Sequence, residues 1–432
     1  MKLLNLTLLL FTTSALANFG DTIGVAPENI SLGGQASLHS ISASAGLFHP
    51  SSVGFETRNQ FSFSISNTSF NFSEIKNIVV ENDTTSQSGQ SFGNVSTDYE
   101  SISMGQAHGV VSIPKLETNL AFSIFAPLLY IAKFDSGDPQ LPEYVMYRSR
   151  PKRMSAQLSL TRKVNDNVAL ALGAQVGFKL EADIEANASL NGTNFGSSAR
   201  AKANIFPKVA FLGSASYFNK DHRVSFTLKQ GQEMTAKASV TGQTTDPRII
   251  FDLTSESLSY FEPHQLRATY SFKALDWIEI TTGVKYEIWS DFTPPTLKLI
   301  QEASVLSSDN YEVISTKNTL SPSLGLKIDV QKWSILTGVS LNESPLDSSY
   351  TGAGNSIDSS SKDFSAGVIK RTNLFSTEIA FTGAIKYRKL EEKTVNKETG
   401  QENGSNGLKI GAPGYDIGGD ITNVAIGLQI KF

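Results

Sequence analysis

The chain has 432 residues, with 37 Lys and Arg against 41 Asp and Glu, so its net charge of −4 gives no case for nucleic-acid binding. It contains no cysteine, which excludes disulfides, thiol catalysis and thiolate metal sites. The length would suit two or three soluble domains. However, Gly, Ser, Thr and Asn are abundant and mean hydropathy is only −0.14, as expected of one large β unit whose strands each have a single apolar face.

The amino end starts with the basic Met1-Lys2, followed by an apolar run from Leu3 to Phe11. That run is too short to cross a bilayer as a helix. It leads into Ala15-Leu16-Ala17, a small-residue box, and predicts a secretory signal cleaved after Ala17. Residues 18–58 are rich in Gly, Ser, Ala and His, and Gly20, Gly24, Gly33, Gly34 and Gly46 break any periodicity. Such a segment suits compact packing inside something else.

From Asn59 onward, alternating runs lie near 59–72, 99–113, 118–131, 152–164, 167–184, 204–219 and 222–240, then 262–273, 277–290, 319–331, 332–342, 361–371, 374–389 and 419–432. These predict fourteen strands. Their connections alternate between long and short. The short ones lie at Pro114-Lys-Leu-Glu, Asn165-Asp-Asn, Asn219-Lys-Asp, Ala274-Leu-Asp, Gln331-Lys and Thr372-Asn. Short turns at one end and long loops at the other, with an even strand number, are the layout of a bacterial outer-membrane barrel. A soluble sandwich has no reason to sort loop lengths by strand parity.

The faces agree. In 167–184, Val168, Leu170, Leu172, Ala174, Val176, Phe178 and Leu180 form one face, and Gln175, Lys179 and Glu181 lie on the other. A lipid-facing charge costs about 2–4 kcal/mol at the midplane, so the polar face belongs to the lumen. Tyr217 and Trp333 suit a girdle near the short turns, and Tyr130 and Tyr387 one near the long loops. Parity turns Trp289 inward. In the last run, Val424, Ile426, Leu428, Ile430 and Phe432 alternate with Ala425, Gly427, Gln429 and Lys431. An ordinary buried last strand would also read this way, but in a barrel this strand pairs with the first and removes both edges. It resembles the terminal strand of bacterial outer-membrane barrels, whose final Phe belongs to the assembly signal; this implies the barrel assembly machinery as a partner. The expected fold is all-β: a fourteen-stranded antiparallel transmembrane β-barrel in the bacterial outer membrane, comprising a signal (1–17), an N-terminal hatch in the lumen (18–58) and the barrel (59–432).

Short motifs, in order, resemble the outer-membrane long-chain fatty acid transporter family of FadL/TodX type. These are Gly24-Val-Ala-Pro-Glu-Asn-Ile-Ser-Leu-Gly-Gly-Gln35, Ser44-Ala-Gly-Leu-Phe-His-Pro-Ser-Ser-Val53, Tyr286-Glu-Ile-Trp-Ser-Asp-Phe292 and Leu336-Thr-Gly-Val-Ser-Leu-Asn-Glu-Ser-Pro345. The sequence departs from the family at His49, where it usually has Asn, and at Ser51, where it usually has Ala. The resemblance implies passive uptake of fatty acids or similar hydrophobic molecules: capture at external loops, passage through a plugged barrel, and exit sideways or downward once the hatch shifts. Gly33, Gly34, His49 and Pro50 would belong to the hatch, with Lys285 and Trp289 lining the lumen.

Leu128, Leu129, Tyr130 and Ile131 form the greasiest patch near the outer rim and are the candidate capture site; the plainer reading is a lipid-facing strand end. Phe251, Leu258, Tyr260 and Phe261 are a second, weaker candidate. A carboxylate in a low-dielectric lumen needs a cation. Lumen parity offers Arg153, Lys179, Lys208, Arg267 and Lys285, and the resemblance places head-group ligands at Lys179 and Lys317. The plainer reading of these cations is pairing with Glu181, Glu279, Glu287 or Asp329. The basic run Arg148-Ser-Arg-Pro-Lys-Arg153 suits lipopolysaccharide phosphate or solvent.

The histidines, His39, His49, His108, His222 and His264, show no catalytic or metal-ligand spacing, so neither an enzyme nor a cofactor is expected. Two other functions fit a barrel: a porin for small polar solutes, and a non-transporting adhesin or assembly barrel.

Overall fold

The computed structural model describes residues 24–82, 89–95, 97, 99–129, 143–144, 147, 154–191, 194–243, 250–290, 292, 298–301, 316–346, 356–396, 408–410 and 414–432. The signal-like residues 1–17 and the first hatch residues, 18–23, lie outside them.

Fourteen antiparallel strands close a barrel. They are β1 (Gln60–Phe72), β2 (Ile102–Ile113), β3 (Thr118–Pro127), β4 (Ser155–Lys163), β5 (Val168–Asn191), β6 (Asn194–Phe218), β7 (His222–Lys229, continuing as Gln232–Gln243) and β8 (Ile250–Glu262, continuing as His264–Leu275). The others are β9 (Ile278–Ile288), β10 (Thr319–Val330), β11 (Trp333–Asn342), β12 (Ser361–Leu374), β13 (Thr377–Leu390) and β14 (Gly419–Lys431). The last strand meets the first in unbroken register from Gln60↔Lys431 to Phe72↔Gly419. On its other side β1 pairs with β2, so neither end of the sheet is left as an edge. The terminal Phe432 amide donates to the Asn59 carbonyl at 3.0 Å, and its ring stacks on Phe61.

The wall is inside-out relative to a soluble sheet. Phe63, Ile65, Leu170, Leu172, Phe226, Ile335, Phe381 and Ile426 are exposed. Ser64, Ser66, Gln106, Gln175, Thr269, Ser323 and Ser365, at alternate positions, are buried. An apolar exterior around a polar interior is the pattern of a wall solvated by lipid. Tyr217 and Trp333 are exposed beside short turns and Tyr387 is exposed towards the other end, while Trp289 is wholly buried.

Strand lengths differ from the sequence expectation at one side. The links expected to be long around Asn191 and before Glu262 are instead mostly strand: β5 and β6 run 24 and 25 residues and stay paired up to Asn191↔Asn194. Beyond the bilayer no face is selected for lipid, so Asn, Ala, Ser and Gly replace the alternation that marks a spanning strand. The third strand ends at Pro127 rather than Ile131.

β7 breaks at Gln230-Gly231 and β8 at Pro263, which has no N–H to give a ladder. A side chain on Gly231 would meet the Glu262 carbonyl at 2.7 Å and the His264 amide at 2.8 Å, so only glycine lets the two breaks lie side by side. Above them β7 pairs in parallel with β5 (Lys237↔Glu181 to Thr241↔Glu185). Below them it pairs with β6.

Candidate functional site

The segment from Gly24 to Phe55 lies inside the barrel. It holds a short helix α1 (Pro27–Ser31), a single turn α2 (Ala45–Phe48) and a 3-10 turn (Pro50–Phe55). Pro27 opens α1 at a position where a missing N–H costs nothing. Gly33 and Gly34 close it with φ of 70° and 85°, and the Gly34 amide donates back to the Asn29 carbonyl at 2.8 Å. A side chain would strain this reversal.

The segment lies on a track of lumen-facing glycines. Gly325 and Gly338 face each other across β10 and β11. A Cβ on Gly338 would overlap the Gly33 amide nitrogen, one on Gly367 would overlap the Ser31 hydroxyl, and one on Gly427 would lie 3.0 Å from the Pro27 ring. The strands therefore let the segment's backbone come flush against the wall.

Polar contacts fix it around the circumference. Arg267 donates to the Gly34 carbonyl at 3.0 Å and lies 4.9 Å over the Phe48 ring. Arg223 donates to the Leu38 carbonyl at 2.6 Å, and Ser37 donates to Glu279 at 2.7 Å. His49 bridges two strands, with Nδ1 3.2 Å from Thr227 and Nε2 2.7 Å from Thr269. Burial, and then the Arg267 charge, holds this imidazole well below its ordinary pKa, so it is neutral at pH 7. Thr161 donates to the Pro50 carbonyl at 2.9 Å. Ser51 lies 2.6 Å from both Ser214 and Ser216. At the two departures from the family pattern, His49 reaches Thr227 and Thr269 on neighbouring strands and Ser51 adds a hydroxyl that meets Ser214 and Ser216.

Below the segment, a cavity of about 550 Å³ opens among the short turns. It is lined by Glu28, His39, Ile41, Asn167, Lys220 and Arg371, among others. Burial raises the Glu28 carboxyl, and the charges of Lys327 and Arg371 oppose the rise.

Above the segment lies a belt of buried charge. Arg388 grips Asp363 with two hydrogen bonds of 2.7 Å, and Lys386 lies 3.7 Å from the same carboxylate. Lys285 lies 3.7 Å from Glu287, and Lys229 pairs with Glu262. Over the belt, strand ends and loops build an aromatic roof. Phe72 stacks on Tyr144 at 4.3 Å and meets Tyr147 edge-on at 4.9 Å. Trp289, Phe261 and Phe292 form a second group 5.4–5.7 Å apart, joined to the first through Leu390, Ile421, Ile357 and Tyr415. Trp289 is held by its indole N–H, which donates to Thr319 at 3.2 Å.

The residues expected from sequence fall as follows. Gly33, Gly34, His49 and Pro50 sit in the seated segment, while Lys285 and Trp289 line the lumen. Lys208 pairs with Glu233 at 3.5 Å. Lys179 pairs through its backbone with Phe206 on β6, but its side chain lies outside the described residues, as do Tyr130, Ile131 and the run 148–153. Lys317 is half-exposed at the rim, 3.8 Å from Glu343 and outside the belt. Leu128 and Leu129 are exposed, and Leu128 lies against Gly105 on the outer wall, as a lipid-facing strand end does. Phe261 joins the roof; the side chains of Phe251, Leu258 and Tyr260 are not among those described.

Asp363, Lys386 and Arg388 were not singled out from the sequence, although the alternation in 361–371 and 374–389 places all three inward. Tyr144, Tyr147 and Asp358 reach the mouth from loops, where no periodicity marks them.

Burial pushes the Asp358 carboxyl up to about 7, opposed in part by the Ser344 hydroxyl and the Ser359 amide. The folded mouth therefore favours the neutral acid. Its contribution is complete below the ordinary carboxylate value and is lost as pH rises from there through 7, a loss of roughly 4 kcal/mol. Raising the pH from 5 to 9 should loosen the roof, read as a red shift of Trp289 fluorescence with Trp277 and Trp333 changed to Phe. Asp358→Asn should flatten the profile; an unchanged transition in that variant would assign the effect to another group.

No protein-family model matches the chain, and no curated protein matches it in sequence. Solved structures do match in shape. A Pseudomonas aeruginosa FadL homologue aligns over 97% of this chain and 99% of its own, with a TM-score of 0.61 and 13% identity. The Pseudomonas putida toluene transporter TodX aligns over 96% and 99%, with a TM-score of 0.54 and 11% identity. With fourteen closed strands, an apolar outer wall and an amino-terminal segment seated in the lumen, the chain has the fold of the FadL-type outer-membrane transporters.

Proposed function

We propose that this barrel takes up hydrophobic molecules across the outer membrane, with long-chain monocarboxylates as its preferred class. The observation that carries this reading is the contact of two layers: an aromatic roof whose Tyr147 meets Arg388 of the Arg388–Asp363–Lys386 belt. The roof suits a hydrocarbon chain. The belt offers a cation to the head group, which would otherwise be buried unpaired. Lys386 is the natural partner, because Arg388 already occupies both oxygens of Asp363. The ligand then passes the hatch as the segment shifts from its glycine track, and leaves downward through the cavity above the short turns.

A second reading is favoured by the density of rings in the roof: neutral aromatic hydrocarbons, for which the belt would be purely structural. One experiment separates the two. Purified protein in detergent should bind a long-chain fatty acid, and Lys386→Met should weaken that binding by about tenfold or more, the worth of a charged hydrogen bond. Binding of toluene should be unaffected. Equal binding of the fatty acid by wild type and variant would transfer the assignment to neutral hydrocarbons. Binding of neither ligand, with steady ion conductance in planar bilayers, would favour a porin for polar solutes.

A further inference from the structure

The lipid-facing wall carries two grooves of the same design. The first, of about 780 Å³, lies around Gly383, between Val368, Phe381, Ile426 and Ile65, and reaches Lys370. The second, of about 630 Å³, lies around Gly213, between Leu160, Leu172, Phe226 and Leu228, and reaches Arg162. Each floor is a glycine at an outward position. No atom comes within 4 Å of where a Gly383 side chain would begin, and the nearest to Gly213 is a Leu172 methyl at 3.8 Å. Gly105 shows what such a pit accepts: it lies in the same row (Gly383↔Ile426, Ile426↔Ile65, Ile65↔Gly105) and is filled by the side chain of Leu128. The pits at Gly383 and Gly213 have no such filling from this chain among the described residues.

The cations are placed alike. Lys370 pairs in register with Trp333, the first residue after a short turn, and its ammonium lies 5.0 Å from that ring. Arg162 lies one residue from the end of β4, next to another short turn, in register with Thr118. Both are exposed, and neither has a carboxylate partner among the described residues. An outward charge is costly at mid-membrane but nearly free at the interface, where a long side chain reaches the head groups. Both cations therefore mark the short-turn interface, and each has an aliphatic channel rising from it towards mid-membrane.

We infer that the two grooves are seats for phospholipids of the periplasmic leaflet, each with an acyl chain in the glycine pit and its phosphate on Lys370 or Arg162. A second copy of the barrel, whose short turns carry exposed carboxylates such as Asp166, is the competing occupant, and its loss would read as a lost dimer and not as a lost lipid. Lipopolysaccharide belongs to the opposite leaflet, beside the long loops.

Native mass spectrometry of the full-length protein with added phosphatidylglycerol tests this. Two lipids should bind more tightly than the remainder. Gly383→Leu and Gly213→Leu should each remove one, and the double variant both. Lys370→Gln and Arg162→Gln should each weaken one seat about fivefold, the worth of one interfacial cation. A leucine at Gly383 faces open space and one at Gly213 starts beside a single Leu172 methyl, and heat-modifiable migration on gels checks that each variant is folded. The proposal is overturned if the folded double variant keeps both tight lipids, or if it loses a dimer instead.

Discussion

Gly338→Leu should turn a closed barrel into a conducting one. The residue faces the lumen on β11, where a Cβ would already overlap the backbone of Gly33, and backbone cannot rotate aside as a side chain can. The neighbouring strands are tied by ladders on both sides of β11, from Ser323↔Ser340 to Val330↔Trp333 and from Trp333↔Lys370 to Asn342↔Ser361. The wall therefore keeps its place and the inner segment gives way. Fourteen strands enclose a lumen wide enough for water once it is emptied. In planar bilayers the wild type should be nearly silent and Gly338→Leu should show steady channels. Gly383→Leu, a change of equal size on the outer face, should stay silent. A silent Gly338→Leu that is folded would mean that α1 can be accommodated elsewhere in the lumen, and would remove the glycine track from the account of closure.

The second large effect is expected at Asp363. This carboxylate is buried with Arg388 and Lys386 as its partners. Asp363→Ala takes the carboxylate away from the buried Arg388 guanidinium and from Lys386 in a site with little water. Breaking a buried ion pair from one side costs about 3–5 kcal/mol, which in a barrel of this size should appear as a marked fall in the temperature of the heat-modifiable gel shift. The contrast is with a triple variant, Asp363→Leu with Lys386→Met and Arg388→Met. Apolar replacement of a whole buried charge group is often neutral or stabilising, so the triple variant should recover much of the loss. It should also have lost affinity for carboxylates. A triple variant that remains as unstable as Asp363→Ala would show that the belt holds the roof by geometry rather than by charge balance.

The barrel was legible in the sequence because lipid imposes a strict rule. Outward positions such as Leu170, Leu172, Ile335 and Ile426 must be apolar, so period 2 persists wherever the chain crosses the bilayer. The same rule explains where the reading ran out. Above the membrane β5 and β6 continue as paired strands, but no solvent selects one face there, and Ala186 to Asn191 reads as loop. Leu128 lies on the outer wall against Gly105, a placement that apolar character alone does not separate from capture. Lys317, placed by resemblance, stands at the rim with Glu343, because a motif gives order along the chain and not depth in the barrel. Asp363, Lys386 and Arg388 carried a readable inward parity. Their convergence did not, because β12 and β13 place Asp363 opposite Arg388 only through a register that the turn at 375–376 decides.

The long β5–β6 hairpin has a consequence for encounters at the cell surface. At about 3.3 Å per residue, its 24 residues span about 80 Å along the strand, and at a 45° tilt it rises about 55 Å. An apolar belt about 25 Å tall accounts for less than half of that height. β7 lies against β5 only as far as Thr241↔Glu185. Among the described strands the last stretch, Ala186–Asn191 with Asn194–Ala199, is therefore paired only with itself, and it offers an antibody or the tail fibre of a phage a ribbon with open backbone edges.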